Sequence, residues 1–233
     1  MNYLIKYELR LGDIIRMFPA CKYLSDQSHK VYFYTYPEYK TILDLVSYAE
    51  WVPSPSSIPW DRFLDPQIFP DRYRHYRESK VRWKDYVYSL YPEFQPAVDH
   101  PIIFDRPIDR TALEQYQLPD DYVLISPFGH SQEFRPSVPW FLRKVRECLG
   151  HTRNVFMLSE TPLANSEIPT VTASHLSHLV PLIANAREFF TINSSPSIIA
   201  SAVRRKYYHI YCPDHDGLED HSSPNQVVLR QDT

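Results

Sequence analysis

Short apolar runs alternate with amphipathic segments of helical length, and the alternation occurs twice along the chain. The first series runs YLIKY (3–7), a segment with Ile14, Phe18, Cys21 and Leu24 at helical spacing, HKVYFYTY (29–36), EYKTILDLV (38–46) and AEWV (49–52). Pro19 either kinks the first of these helices or marks its true first turn. The second series runs YVLISPF (122–128), SVPWFLRKVRECLG (137–150), RNVFMLSE (153–160), LSHLVPLIANA (176–186), EFFTIN (188–193), SPSIIASAVRR (195–205) and KYYHIYC (206–212) as the last strand. Strand–helix–strand succession of this kind leads to parallel sheets with right-handed crossovers. The chain therefore reads as an α/β protein of two Rossmann-like lobes facing a cleft. An N-terminal lobe spans 1–115 and a C-terminal lobe spans 116–233.

Between the two series the rhythm breaks, over 53–110. PSPSSIPWDRFLDPQIFP is proline-punctuated, yet its aromatics call for burial, so an ordered loop is expected. Residues 71–91 read as one helix, and VDHPIIFDRPIDR contributes one strand. Only four glycines occur in 233 residues, Gly12, Gly129, Gly150 and Gly217, so each is expected where a side chain is not tolerated. Ser137 is placed as the cap of its helix and Gly150 at a left-handed C-terminal position.

Cys21, Cys148 and Cys212 form no CxxC pair and read as small buried hydrophobes in a reducing compartment. Lys6, Glu8 and Arg10 interrupt any secretory apolar region, and no apolar run reaches bilayer length. A cytoplasmic protein beginning at Met1 is expected. His209, His215 and His221 are spaced too irregularly for a metal site, so no metal is expected.

In open parallel sheets ligands bind beyond the carboxyl ends of the strands, and three loops there carry chemistry. In LGDIIRMFPA (11–20), Gly12 permits a tight turn. Asp13 either caps the next helix or takes a proton from an acceptor hydroxyl. In SPFGHSQEFRPSVPW (126–140), Gly129 lets amides approach a ligand. Arg135 presents a planar fork to phosphate or is a solvated charge, and His130 is a further candidate. In INSSPSIIASA (192–202), Asn193, Ser194 and Ser195 precede a helix opened by Pro196, which is either an anion site or an ordinary capped helix.

Taken in order, these loops resemble those of the lipopolysaccharide heptosyltransferase family of GT-B glycosyltransferases, which use ADP-heptose. Leu11, Gly12, Asp13, Pro19 and Ala20 match that family's LGD…PA segment. Ser126–Gly129 stands for its glycine loop, with Arg135 in place of the usual lysine and Pro139-Trp140 in reversed order. FFTINSSPSIIASA is similar to its FVGNDSGPMHLAAA, with Asn193, Ser195 and Ile198 replacing aspartate, glycine and histidine. The resemblance covers about the first 50 residues and most of 120–213, in a chain shorter than typical members. It implies an inverting, metal-independent transfer of a sugar from a nucleoside diphosphate, with no cofactor beyond that co-substrate. Asp13 is then the general base. Arg135 and the amides of Ser194 and Ser195 hold the donor diphosphate, with Gly129, His130 and Asn193 also on the donor side.

The N-terminal lobe of such an enzyme holds the acceptor. From Arg72 to Lys84, six basic residues (Arg72, Arg74, Arg77, Lys80, Arg82 and Lys84) face Glu78 alone, a local balance of +5, interleaved with Tyr73, Tyr76 and Trp83. Together with Gly12, residues Arg72, Arg74, Arg77, Arg82 and Trp83 form the expected acceptor side. An acidic saccharide or a modified base in DNA fits such a surface, the latter suiting a phage-encoded enzyme. A solvated amphipathic helix accounts for the same pattern. The competing function is a transferase-like module without catalysis that binds nucleic acid through 71–91. A dinucleotide-dependent enzyme is disfavoured, because no GxGxxG follows either first strand.

Overall fold

The computed structural model describes residues 1–68, 70–127, 137–150, 154–160, 168–211 and 224–230. The chain divides into two units, one formed by Met1–Pro107 and one that begins at Ile108.

In the first unit, β1 (Asn2–Lys6) leads through α1 (Leu11–Arg16) and α2 (Phe18–Asp26) to β2 (Lys30–Tyr34). Then follow α3 (Lys40–Leu43), β3 (Glu50–Val52), β4 (Arg62–Leu64), α4 (Tyr73–Ser79) and α5 (Trp83–Ser89). The strands form a four-stranded sheet in the order β3-β2-β1-β4, and every ladder is parallel. Leu4 and Ile5 are fully buried in its central strand, as expected where both faces of a parallel sheet are covered.

The second unit holds β5 (Val123–Ser126), α6 (Val138–Leu149), β6 (Val155–Ser159), β7 (Thr170–Thr172), α7 (Leu176–Asn185) and β8 (Glu188–Ile192). It closes with α8 (Ser195–Ala202), β9 (Tyr207–Tyr211) and β10 (Gln226–Arg230). Its six-stranded sheet has the order β10-β9-β8-β5-β6-β7, again with parallel ladders throughout. Phe190 on β8 lies flat against Tyr208 on β9, ring centroids 4.2 Å apart at 6°. Val123, Ile125, Phe141 and Met157 pack in the same cluster.

Two separate parallel sheets are thus present, but several local expectations are corrected. Met17 separates α1 from α2, and Pro19 sits in the first turn of α2, where its missing N–H removes no helical bond. Residues 71–91 form two helices, because Lys80 adopts a left-handed backbone (φ 53°) that ends α4. The segment 98–110 forms no strand. It is tied down instead by Asp105, which accepts from the Ser47 amide (2.7 Å) and hydroxyl (2.5 Å), and by the Ile103 carbonyl, which accepts from the Tyr48 hydroxyl (2.5 Å). β4, β7 and β10 lie where no strand is expected, so 206–212 is not the last one. Residues 108–115, which the sequence reading gives to the first lobe, lie in the second unit. Within that unit the 3₁₀ helix Thr111–Tyr116 is anchored by the Tyr116 hydroxyl, which donates to the Thr172 carbonyl at 2.9 Å.

Ser137 caps α6 through its side chain, which accepts from the Trp140 N–H. Gly150 ends that helix at φ 70°, ψ −151°, a region essentially open to glycine alone rather than the left-handed helical one expected. Cys21 is buried, and burial pushes its thiol far up; Cys148 is exposed, against expectation. Cys212 lies outside the described residues.

His209 belongs to the core of the second sheet. It is 5% exposed on β9, and burial drives its pKa from 6.5 down to about 4. Gln226 Nε2 lies 2.5 Å from its Nδ1, an arrangement suited to a neutral ring that accepts there. The folded chain therefore keeps this imidazole neutral, while in the unfolded chain it takes a proton below pH 6.5. Its contribution to stability is complete above pH 6.5 and is lost as pH falls towards about 4. The slope is about 1.4 kcal/mol per pH unit, so the loss is on the order of 3 kcal/mol. Urea titrations at several pH values across that window should show the slope in the native chain and a flatter profile in His209→Gln.

Candidate functional site

Each sheet reverses its strand order once, and the carboxyl ends on either side of such a reversal frame a crevice. In the first sheet the chain proceeds from β1 to β2 and β3 on one side, while β4 pairs on the other. The reversal therefore lies between β1 and β4, beyond the Ile5–Leu64 pair.

The backbone leaves β1 through Glu8–Arg10 and enters α1 at Leu11, with Arg10 extended as its N-cap. Gly12 is consequently a buried helical residue and not the pivot of the turn, which corrects the sequence reading. Asp13 does not cap either, because no side-chain cap bond is made at this helix start. It sits in the first turn, where a carboxylate is favoured by the helix dipole, and its Oδ1 accepts from Arg16 Nη1 at 3.1 Å. Both side chains are mostly buried, 19% and 11% exposed.

Tyr7, just beyond β1, is fully buried, and its hydroxyl has no hydrogen-bond partner among the described residues. Burial raises its pKa well above 10, with the negative charges of Asp13 and Asp65 adding to the rise and Arg16 opposing it. The phenol accordingly holds its proton to a higher pH than an exposed tyrosine does. Asp65, just beyond β4, accepts from Gln67 Nε2 at 3.0 Å. The reversal thus gathers two carboxylates, a guanidinium and a buried phenol.

The expected acceptor side divides sharply. Trp83 is only 6% exposed: it meets Tyr7 edge-on at 6.2 Å and lies beneath the Arg16 guanidinium at 5.2 Å. It packs on Arg16 and is largely covered by the first unit's core. Arg72 donates to the carbonyls of Asp65 (2.8 Å) and Gln67 (3.3 Å). Arg82 holds Asp85 with two bonds at 2.6 and 2.8 Å, and Lys84 donates to the Val98 carbonyl at 3.0 Å. These three charges are already engaged. Arg74 and Arg77 remain exposed on α4, a helix with no buried residue, and have no ion-pair partner among the described residues.

In the second sheet the reversal lies between β5 and β8, where Ser126 pairs with Thr191. The segments after both strands therefore start side by side. Gly129, His130 and Arg135, on the first of them, lie outside the described residues. After β8, Ser194 is the N-cap of α8. Its N–H donates to Ser197 Oγ (3.2 Å), and that hydroxyl donates back to the Ser194 carbonyl at 2.7 Å. The amides of Ser197 and Ile198 also go to that carbonyl, and Pro196 has none. Within this first turn, Ser195 N–H alone lacks a partner among the described residues. Asn193 is half-buried and makes no hydrogen bond among the described residues.

Arg16, Tyr7 and Asp65 escaped the sequence reading. Arg16 had a signal, since it stands three residues after Asp13 on one helix face. Tyr7 and Asp65 had none, because the β1–β4 pairing that brings their strand ends together is invisible in the pattern. Among the described residues no three His, Cys, Asp or Glu side chains group to hold a metal ion, and no helix is long and apolar enough to cross a membrane.

No protein-family model matches the chain, and no curated protein sequence does. Solved structures share its fold. The ADP-heptose lipopolysaccharide heptosyltransferase II of E. coli aligns with a TM-score of 0.73 at 13% identity, covering 100% of this chain and 91% of that one. The E. coli heptosyltransferase WaaC, solved with ADP-2-deoxy-2-fluoro heptose, aligns at 0.63 and 13% identity, covering 99% and 93%. TibC, an iron-containing dodecameric glycosyltransferase from enterotoxigenic E. coli, aligns at 0.64 and 16% identity, covering 97% of this chain and 61% of its own. The two parallel sheets of this chain therefore share the fold of these glycosyltransferases, at 13–16% identity.

Proposed function

We propose that this chain is a divergent, heptosyltransferase-like glycosyltransferase that moves a sugar from a nucleoside diphosphate to an acceptor hydroxyl. The observation that carries this reading is Asp13, a carboxylate held by an ion pair at the strand-order reversal of the first sheet, in a GT-B fold. The first unit takes the acceptor and the second takes the nucleotide sugar. The acceptor oxygen attacks the anomeric carbon, the bond from that carbon to the diphosphate breaks, and the acceptor proton passes to Asp13. A single displacement of this kind inverts the anomeric centre. Arg135, His130, the backbone at Gly129 and the Ser195 N–H take up the leaving diphosphate charge without a metal, and Asn193 contacts the donor sugar. Arg74 and Arg77, with Lys80, give the acceptor side its preference for an anion, an acidic saccharide or a modified DNA base. The spread of cysteines fits work in a reducing, cytosol-like compartment.

The decisive measurement is nucleotide release from ADP- and UDP-sugars, preceded by a thermal-shift panel of nucleoside diphosphates. A cognate diphosphate at a hundred times its Kd should stabilise the chain by about 2.7 kcal/mol. The exposed cations of α4 favour one competing reading, a nucleic-acid-binding module without catalysis. Salt-dependent DNA binding with no response to any nucleoside diphosphate would establish that module and end the transferase account.

A further inference from the structure

Asp13 is gripped through a side chain that is itself gripped. Arg16 donates to its Oδ1 one helical turn away, at 3.1 Å. The guanidinium lies 5.2 Å from the centre of the Trp83 ring, while the Tyr88 hydroxyl donates to the Arg16 carbonyl at 2.8 Å. Trp83 and Tyr88 both belong to α5 and both are buried. The second helix of the irregular insert thus holds Arg16 from two directions, by its side chain and by its backbone.

We infer that Arg16 is the positioning residue for Asp13, and that Trp83 and Tyr88 fix Arg16 in turn. The inference rests on the reading of Asp13 as the base. An opposite charge at this distance favours the ionised carboxylate, and a guanidinium held over an indole, 5.2 Å from its centre, loses freedom, so the carboxylate is oriented as well as charged. The buried Tyr7 phenol closes the end of β1, and the charges of Asp13 and of Asp65, beyond β4, both raise its pKa. Lys6 and Glu8 are paired with each other at 2.9 Å. Without Arg16, Asp13 would hold its proton to a higher pH and point less sharply.

Two readouts test this on the full chain. Carbon-13 NMR follows the Asp13 carboxyl, assigned by its loss in Asp13→Asn, and steady-state kinetics give kcat and donor KM against pH. Arg16→Met should raise the Asp13 midpoint by about one pH unit or more. It should also lower kcat about tenfold or more, with donor KM within about threefold, and move the acid limb of kcat upward. Arg16→Lys should restore the midpoint but only part of kcat, since a flexible point charge does not reproduce the guanidinium held over Trp83. A folded Arg16→Met with native midpoint and native kcat overturns the inference. If Arg16→Met does not fold, Arg16→Lys with native kcat overturns it. Absence of turnover in the unmutated chain defeats the transferase reading instead, and the NMR midpoint then still decides the Arg16 pairing.

Discussion

Asp13→Asn should lower kcat by about 10²- to 10⁴-fold while the chain stays folded, the range a positioned general base contributes. In barrier terms this is about 2.7–5.5 kcal/mol. The amide keeps the shape of the carboxylate but has no basic oxygen for the acceptor proton. Donor KM should change little, because the donor is proposed to bind the other unit. The substitution also leaves the Arg16 guanidinium, 11% exposed, facing a neutral partner, at a cost of about 1.5–3 kcal/mol in stability. Circular dichroism and a melting curve must therefore accompany the kinetics. Native turnover in a folded Asp13→Asn variant removes this residue from the mechanism.

Phe190→Ala should be the most destabilising single substitution tested. The ring is fully buried on β8, next to the central strand β5, and stacks on Tyr208 at 4.2 Å. Truncating a buried phenylalanine costs about 3–5 kcal/mol, and the lost ring pair adds about 0.5–1.5 kcal/mol. Against a total of about 5–15 kcal/mol for an ordinary domain, the second unit would be near its folding threshold at 25 °C. Urea unfolding supplies the number, with Val228→Ala as control. Val228 is 37% exposed on the edge strand β10, so its truncation should stay within about 0.5 kcal/mol. A cost below about 1 kcal/mol for Phe190→Ala would mean that the Phe190–Tyr208 stack is not part of the working core.

The two-sheet plan was legible because buried parallel strands leave long apolar runs such as YLIKY and EFFTIN, and because Ser137 and Ser194 mark helix starts by their chemistry. What escaped was short or conformational. RFL, TVT and QVVLR lie on edge strands, where one side needs no partner and apolar content can be low. The break at Lys80 is a left-handed residue with none of the glycine or asparagine that usually announces one. At the site, the position of Asp13 was readable but its role at the helix start was not, because α1 begins two residues earlier than its glycine implied. The basic run was legible as charge and not as contacts. Charge can be counted in a sequence, but Arg72 and Lys84 donate to carbonyls that the fold brings within reach, and Arg82 pairs with Asp85 three residues on. Trp83, in the same run, packs beneath the Arg16 guanidinium.

The parallel ladders carry a consequence for how the chain is born. No strand in either sheet can find its neighbour through a hairpin, so every pairing waits on a distant loop closure. The sharpest case is β5, whose Val123 pairs with Glu188 only after α6, β6, β7 and α7 have left the ribosome. Until then one flank of this mostly apolar strand is open to any other nascent chain. Slower elongation and lower growth temperature should accordingly raise the soluble yield more than any stabilising surface substitution.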